Sequence, residues 1–81
     1  MDDFEEIYAR YVSSVYRYAR RLTHDESLAE ELTAETFLKA LKNLSRYDET
    51  KSDIRVWLCQ IAKNTWVSQC RKQGRDLPTS F

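Results

Sequence analysis

The sequence predicts an all-α protein, a three-helix bundle, from three observations. Apolar residues recur every three to four positions through most of the 81 residues, which is the period of an amphipathic helix. Two polar segments, at 23–26 and 45–53, interrupt that period and divide it into three stretches. No segment shows the two-residue alternation that is typical of a half-buried strand. The length suits one domain, which we expect to cover residues 1–75.

The first helix is expected at about residues 2–22 and has one apolar face and one basic face. Such a two-sided pattern is typical of a helix that packs on a core with one side only. The apolar face comprises Phe4, Ile7, Tyr8, Tyr11, Val12, Val15, Tyr18, Ala19 and Leu22, and the basic face comprises Arg10, Arg17, Arg20 and Arg21.

The second helix is expected at about residues 27–44. Ser27 followed by Glu30 fits a capping box, which marks a helix N-terminus. Its inward face comprises Ala29, Leu32, Thr33, Thr36, Phe37, Ala40, Leu41 and Leu44. Its outward face comprises Glu31, Ala34, Glu35, Leu38 and Lys42. A lone exposed leucine is common, but Leu38 lies in an acidic strip beside a small residue, so a partner surface and an ordinary solvated face both remain open.

The third helix is expected at about residues 53–73, after a polar loop of about nine residues that is long for a helical bundle. Ser52 or Asp53 is suited to cap its start, and Gly74 is suited to end it. Its apolar stripe comprises Ile54, Trp57, Leu58, Ile61, Ala62 and Thr65. Residues 76–81 are expected to begin a linker.

Two further stripes of the third helix lie outside that apolar stripe. Gln60, Asn64, Val67 and Arg71 follow one another along the helix with Lys63 beside them, and Arg55, Cys59, Trp66 and Cys70 form the other stripe. Gln, Asn and Arg contact base edges or phosphates, and Trp66 is suited to stack on a base or to pack against another domain. A solvated face is the alternative. The loop favours nucleic acid, because Arg46, Tyr47, Lys51 and Ser52 add cationic and aromatic groups suited to unstacked bases.

Charge is unevenly distributed along a chain whose net charge is zero. Residues 1–50 hold eleven Asp/Glu and seven Lys/Arg, a net charge of −4, whereas residues 51–81 hold two and six, a net charge of +4. This polarity predicts two surfaces with different partners, although chance segregation is an alternative in a short chain.

The residues do not predict an enzyme, a cofactor or a metal site. His24 is the only histidine, and the pairs Glu5/Glu6 and Glu30/Glu31 point about 100° apart on a helix. Cys59 and Cys70 lie about 16 Å apart along one helix, beyond the limit of about 7 Å for a disulfide, so we expect them to pair only between chains. No membrane span is predicted, and the acidic start argues against a signal peptide, so we expect a cytoplasmic protein.

Two segments of the chain resemble region 2 of bacterial sigma factors of the small extracytoplasmic-function (ECF) group. Residues 29–40, AEELTAETFLKA, resemble the helix of that family that binds RNA polymerase. Residues 54–64, IRVWLCQIAKN, resemble its promoter-recognition helix, in which Trp-Leu and then Ile-Ala-x-Asn recur. The resemblance covers roughly residues 4–75. The chain departs from the family pattern at Ala34, Ile54, Trp66 and Ser68, where the family often has Gln, an aromatic residue, a smaller residue and Asp, respectively.

The resemblance implies two partners. The second helix would bind the coiled coil of the polymerase β′ subunit through Glu31, Ala34, Glu35, Leu38 and Lys42. The loop and the third helix would bind the non-template strand of the promoter minus-ten element and hold one flipped base, through Arg46, Tyr47, Lys51, Ser52, Gln60, Lys63, Asn64, Val67 and Arg71. An anti-sigma factor is a further candidate partner. We expect residues 1–81 to lack the helix-turn-helix domain of that family. The alternatives are a helical interaction module that does not read DNA and a general binder of RNA or single strands.

Overall fold

The fold is an all-α three-helix bundle, as predicted. A computed structural model describes residues 4–73, and within that range it contains no strand. The helices are α1 (Phe4–Thr23), α2 (Glu26–Lys42) and α3 (Ile54–Gln73), with a 3₁₀ turn at Leu44–Arg46. The predicted start of the first helix at residue 2, the Gly74 cap and the linker at 76–81 lie outside the described residues.

The connection between α1 and α2 is tight and is closed by local hydrogen bonds. His24 has a left-handed backbone with φ 55°, a conformation that ends α1, and its N–H donates to the Arg20 carbonyl at 2.9 Å. Asp25 is then extended, and its carboxylate Oδ1 accepts from the Leu28 N–H at 2.9 Å. The prediction that Ser27 caps α2 is therefore wrong, because the left-handed turn at His24 delivers Asp25 to the cap position two residues earlier.

This correction predicts different effects for two substitutions. Asp25→Ala removes the acceptor for an otherwise unsatisfied N–H and should lower the free energy of unfolding by about 1 kcal/mol. Ser27→Ala, in the first turn of the same helix, should leave it unchanged or raise it slightly. Urea titrations followed by circular dichroism give both values. Equal losses from the two substitutions would contradict the assignment of Asp25 as the cap.

The second helix ends two residues earlier than predicted. The side-chain amide of Asn43 donates to the Lys39 carbonyl at 2.8 Å, and the backbone N–H of Asn43 donates to the same carbonyl at 3.0 Å. These bonds occupy a terminal carbonyl of α2, and the chain continues as the 3₁₀ turn that contains Leu44. Leu44 remains half-buried against the core.

Helices that are consecutive in the chain run antiparallel, and the interior shared by all three contains two apolar clusters. The first joins the C-terminal half of α1 to the N-terminal half of α2 and the C-terminal half of α3, through Ala19, Leu22, Ala29, Leu32, Trp66 and Cys70. The second joins the opposite ends of the same helices, through Ile7, Val15, Phe37, Ala40 and Leu58. Phe4 and Tyr8 pack edge-on against Phe37 at ring-centroid distances of 6.3 and 4.9 Å, which supports the antiparallel arrangement of α1 and α2.

Four residues are placed differently from the predicted pattern. Tyr8 and Leu41, expected on inward faces, are 45% and 50% exposed. Tyr8 lines an open groove between α1 and α2, and Leu41 lies in the last turn of α2. Trp66 and Cys70, expected outside the core, are 5% and 0% exposed. Both cysteines are free, as expected within one chain. The burial of Cys70 leaves its thiol inaccessible to a disulfide with a second chain.

No helix in the described part of the chain is long and apolar enough to cross a membrane.

Candidate protein and nucleic-acid interfaces

The outer face of α2 carries the residues predicted to bind a protein partner. Glu31, Ala34, Leu38 and Lys42 are all exposed. Leu38 is 53% exposed, and Leu41, one turn along the helix, is a second exposed leucine, although its position in the sequence predicted an inward side chain. The face therefore combines an apolar patch, formed by Ala34, Leu38 and Leu41, with flanking charges. The helical period did not indicate that Leu41 is exposed, because Leu41 continues the apolar pattern of the inward face.

Glu35 lies at the edge of this face and is only half-buried. The side-chain amide of Gln69, on α3, donates to its carboxylate. One turn further along α2, the ammonium of Lys39 donates to the hydroxyl of Thr65 at 3.1 Å. These two bonds link α2 to α3 along their shared seam. Glu35 therefore has a partner inside the domain, in addition to its predicted role at the surface.

The loop that precedes α3 is held in place at both ends. The Tyr47 hydroxyl donates to the Ser52 carbonyl at 2.8 Å, and the Tyr47 ring packs against Trp57 with centroids 4.8 Å apart. Asp53 then starts α3, since its carboxylate accepts from the Arg55 N–H at 2.8 Å. The structure refines the prediction that Tyr47 binds nucleic acid, because its hydroxyl and one side of its ring already make contacts within the protein.

The middle of the loop is closed by a short turn. The Asp48 carboxylate accepts from the backbone N–H of Thr50 at 2.9 Å and from its hydroxyl at 2.6 Å. These bonds hold the pKa of Asp48 below its ordinary value. The backbone N–H of Lys51 donates to the Asp48 carbonyl at 3.0 Å. The loop therefore has a defined conformation without a ligand, and the side chains of Arg46 and Lys51 on it are exposed.

The hydroxyl of Tyr47 keeps its proton. Loss of solvent around it raises the pKa of Tyr47, and the neighbouring carboxylates of Asp53 and Glu49 raise it further. A hydroxyl that stays protonated remains a donor to the Ser52 carbonyl throughout the neutral range.

The outward ridge of α3 separates two grooves, and the predicted nucleic-acid residues are divided between them. A groove between α2 and α3, of about 400 Å³, contains Arg46 and Asn64. A groove between α1 and α3, of about 280 Å³, contains Gln60 and Lys63. Arg71 is exposed further along the ridge and Val67 is half-buried beside it. Gln60 and Asn64, which were predicted to share one stripe, therefore line different grooves on the two sides of the ridge.

Among the residues that the structure describes, no carboxylate lines either groove. The α2–α3 groove is lined by Lys39, Asn43, Arg46, Trp57, Ile61, Asn64, Thr65 and Ser68. The α1–α3 groove is lined by Tyr18, Arg55, Val56, Cys59, Gln60 and Lys63. Burial raises the pKa of the Cys59 thiol, although the Arg55 guanidinium opposes this effect. Two grooves that offer cations, amides and aromatic rings are suited to an anionic ligand with flat, hydrogen-bonding groups.

Four lining residues of the α2–α3 groove were not predicted from the sequence, namely Lys39, Asn43, Thr65 and Ser68. Lys39 and Asn43 follow Glu35 at four-residue intervals on α2, and this spacing places all three on one flank. Which helix that flank faces depends on how α2 and α3 pair, which one sequence does not reveal. Among the described residues, no group of three or more His, Cys, Asp or Glu could hold a metal ion.

Comparisons with known proteins identify the family. A family model described as sigma-70 region 2 matches residues 7–76. The chain is 37% identical over 76 residues to the ECF RNA polymerase sigma factor SigM of Bacillus subtilis, which covers 94% of this chain and 45% of that protein. It is 35% identical over 80 residues to the RNA polymerase sigma factor YlaC of the same organism, covering 99% and 44%.

A third relative is the ECF RNA polymerase sigma factor BldN of Streptomyces coelicolor, 38% identical over 63 residues, covering 78% of this chain and 24% of that protein. The chain thus spans less than half the length of these curated relatives. No solved structure gives a significant match to the chain.

Proposed function

Because this chain belongs to the sigma-70 region 2 family, as an ECF-type region 2 domain, we propose that it joins RNA polymerase to promoter DNA during transcription initiation. The outer face of α2 binds the coiled coil of the polymerase β′ subunit. The loop at 45–53 and the ridge of α3 bind the minus-ten element as a single non-template strand. The role is one of binding, without a catalytic step, in the cytoplasm, and an anti-sigma factor is a further proposed partner.

In the described part of the chain, both grooves beside α3 are lined without carboxylates, and this observation carries the DNA half of the proposal. A nucleic-acid strand brings one negative charge per nucleotide, so a carboxylate in a groove would repel it. The two grooves instead offer Arg46, Arg55 and Lys63, with the amides of Gln60 and Asn64 between them. Amides of this kind hydrogen-bond base edges, which is how a protein reads sequence.

A single strand suits this surface better than a duplex. Trp57 lines the α2–α3 groove, and an aromatic ring in a groove suits an unstacked base better than one that is stacked and paired. Stacking of an unpaired base on an aromatic ring contributes about 1–3 kcal/mol, which can offset the cost of unstacking it from its neighbours. The domain thereby stabilises a strand that polymerase has separated, and its isolated affinity should be weak and salt-sensitive.

Asn64→Ala tests sequence reading. A preferred strand is first selected from a randomised pool of single-stranded DNA, then labelled and titrated against a scrambled strand of the same composition. Loss of one base-edge contact should lower the preference for the selected strand by about 1–2 kcal/mol, roughly tenfold, and should change affinity for the scrambled strand little. Fluorescence anisotropy gives both affinities.

Ser13→Ala, at an exposed polar residue of α1, is the control for that substitution and should leave the preference unchanged. Equal binding of selected and scrambled strands by the unaltered chain would contradict promoter reading. That result would favour the second candidate function, an interaction module that uses the exposed Leu38 and Leu41 to bind polymerase without reading DNA.

A further inference from the structure

The first two helices together form one surface that is apolar at one end. Among the described residues four large apolar side chains are exposed, and three of them, Tyr8, Leu38 and Leu41, lie on α1 and α2. Tyr8 packs edge-on against Phe37 with ring centroids 4.9 Å apart, which places it near both leucines, where α1 begins and α2 ends. This α1–α2 surface comprises Tyr8, Val12, Tyr16 and Arg17 of α1 and Glu30, Ala34, Leu38 and Leu41 of α2.

The other end of the α1–α2 surface, beside the turn between the helices, carries opposite charges on the two helices. Arg17 of α1 and Glu30 of α2 are both exposed, and both line a groove of about 450 Å³ between the helices. Arg20 and Glu26, also exposed, repeat this division one turn nearer the connection. At this end α1 is therefore the basic side of the surface, and α2 is the acidic side.

Such a surface is complementary to a second copy of itself. A two-fold axis that lies in the surface, parallel to the helices, places α1 of each copy over α2 of the other and keeps like ends together. The apolar ends then meet, with Tyr8 over Leu38 of the second copy. At the charged ends Arg17 faces Glu30 of the second copy, and the symmetry forms this pair twice. The four helices pack as an antiparallel bundle.

The size of the α1–α2 surface suits a weak dimer. The helices have 20 and 17 residues, so at a rise of about 1.5 Å per residue the surface is about 25 Å long and, for two helices, about 20 Å wide. Each copy then contributes about 500 Å², and a dimer buries about 1,000 Å² in total, which is the lower limit for a specific interface. A contact of this size exchanges readily with a competing partner.

We propose that the free domain forms a symmetric homodimer through the α1–α2 surface and that this dimer keeps the outer face of α2 from polymerase. The dimer is inferred from the surface itself, whereas its inhibitory effect rests on the proposed function and deepens it. A coiled coil and the α1–α2 pair are both packed helices, so each occupies the surface that the other needs. Leu38 and Leu41 are covered in the dimer, and the monomer is the form that binds polymerase.

Sedimentation equilibrium of residues 1–81 tests whether the dimer forms. Over about 1–500 μM at low salt, the weight-average mass should rise from 9.7 kDa toward twice that value. Added salt should move this rise to higher concentration, because charged pairs contribute to the contact. A mass that stays at 9.7 kDa over the whole range overturns the proposal.

Charge reversal tests which surface forms the dimer. Arg17→Glu places like charges opposite each other at both symmetry-related pairs, and Glu30→Arg does the same, so each should raise the dissociation constant at least about tenfold. Both substitutions in one chain restore opposite charges and should restore the dimer. An equimolar mixture of the two single variants should also associate, because both of its pairs are of opposite sign. This recovery shows that the single variants are folded.

Arg55→Glu is the matched control. It makes the same change of charge at an exposed arginine of α3, outside the α1–α2 surface, and should leave the dissociation constant unchanged. Equal weakening by Arg17→Glu and Arg55→Glu would overturn the proposal, because general electrostatics would then explain the loss. A double variant that stays monomeric would overturn it as well.

The β′ coiled-coil fragment separates this proposal from the proposed function. Added to the dimer, it should produce complexes of one domain and one fragment, with masses read by light scattering after gel filtration. Complexes of two domains and one fragment would overturn the inhibitory effect. If the chain is monomeric but captures the fragment, the dimer is overturned and the proposed function stands. If the dimer forms but the fragment is not captured, the polymerase assignment fails and the dimer stands.

Discussion

Trp66→Ala should lower the free energy of unfolding by about 3–5 kcal/mol, the usual cost of removing a large aromatic ring from a core. Trp66 is 5% exposed, and several of its cluster neighbours are small, among them Ala19, Ala29 and Cys70. Small neighbours cannot move far enough to fill the cavity that the ring would leave. The total stability of a domain of this size is about 4–12 kcal/mol, so this substitution should unfold a large fraction of the molecules.

Urea titration followed by circular dichroism measures this loss, and Val67→Ala is its control. Val67 is the next residue along α3 but is only half-buried, so its truncation should cost about 1 kcal/mol or less. A stable Trp66→Ala variant that had lost only DNA binding would contradict the structure. That result would restore the expectation that this tryptophan stacks on a base.

Trp66 also shows why one helical wheel did not predict the core of α3. In its N-terminal half, α3 packs on the cluster that contains Leu58, with Ile54 and Ile61 at the side. In its C-terminal half it packs on the other cluster, through Trp66 and Cys70. The buried face therefore moves around the helix from one end to the other. A wheel averages over the whole length, so it identified the buried residues of the first half and Thr65 correctly but placed Trp66 and Cys70 outside.

The helices themselves were predictable because each satisfies local rules. The apolar period gave their number, order and approximate bounds, and Asp53 was recognised as a candidate cap of α3. The start of α2 was not predicted correctly. Ser27 matches a capping pattern, but the left-handed backbone at His24 brings Asp25 to the cap position instead. Local sequence rules therefore locate a helix better than they locate its first residue.

The candidate site was predicted in part, for a related reason. The exposure of Leu38, Asn64 and Arg71 follows from their positions on single helices, and the structure agrees. The contribution of Lys39 to the α2–α3 groove, and the bond between Glu35 and Gln69, depend on how two helices pair. Pairing is a tertiary property that the period of one helix does not contain. Roles of these residues toward DNA and polymerase remain predictions.

Leu38→Glu should abolish capture of the domain by the polymerase β′ coiled coil without unfolding it. Leu38 is 53% exposed at the centre of the apolar patch with Ala34 and Leu41, so a partner that covers it excludes water from its side chain. A glutamate there would be buried without a compensating charge, which is costly. We expect a loss of about 2–4 kcal/mol, a thirtyfold or larger decrease in affinity. The coiled-coil fragment of Bacillus subtilis β′ is a suitable probe, since two of the relatives come from that organism.

Two further substitutions determine whether this loss is specific. Val56→Glu introduces the same charge at a residue of α3 that is 48% exposed, away from α2, and it should leave capture intact. Leu41→Glu should weaken capture as Leu38→Glu does, because Leu41 extends the same apolar patch although its sequence pattern placed it inside. If only Leu38→Glu had an effect, the contact would be confined to the acidic strip. If Val56→Glu were equally damaging, added negative charge alone would explain the loss, and α2 would not be the polymerase-binding helix.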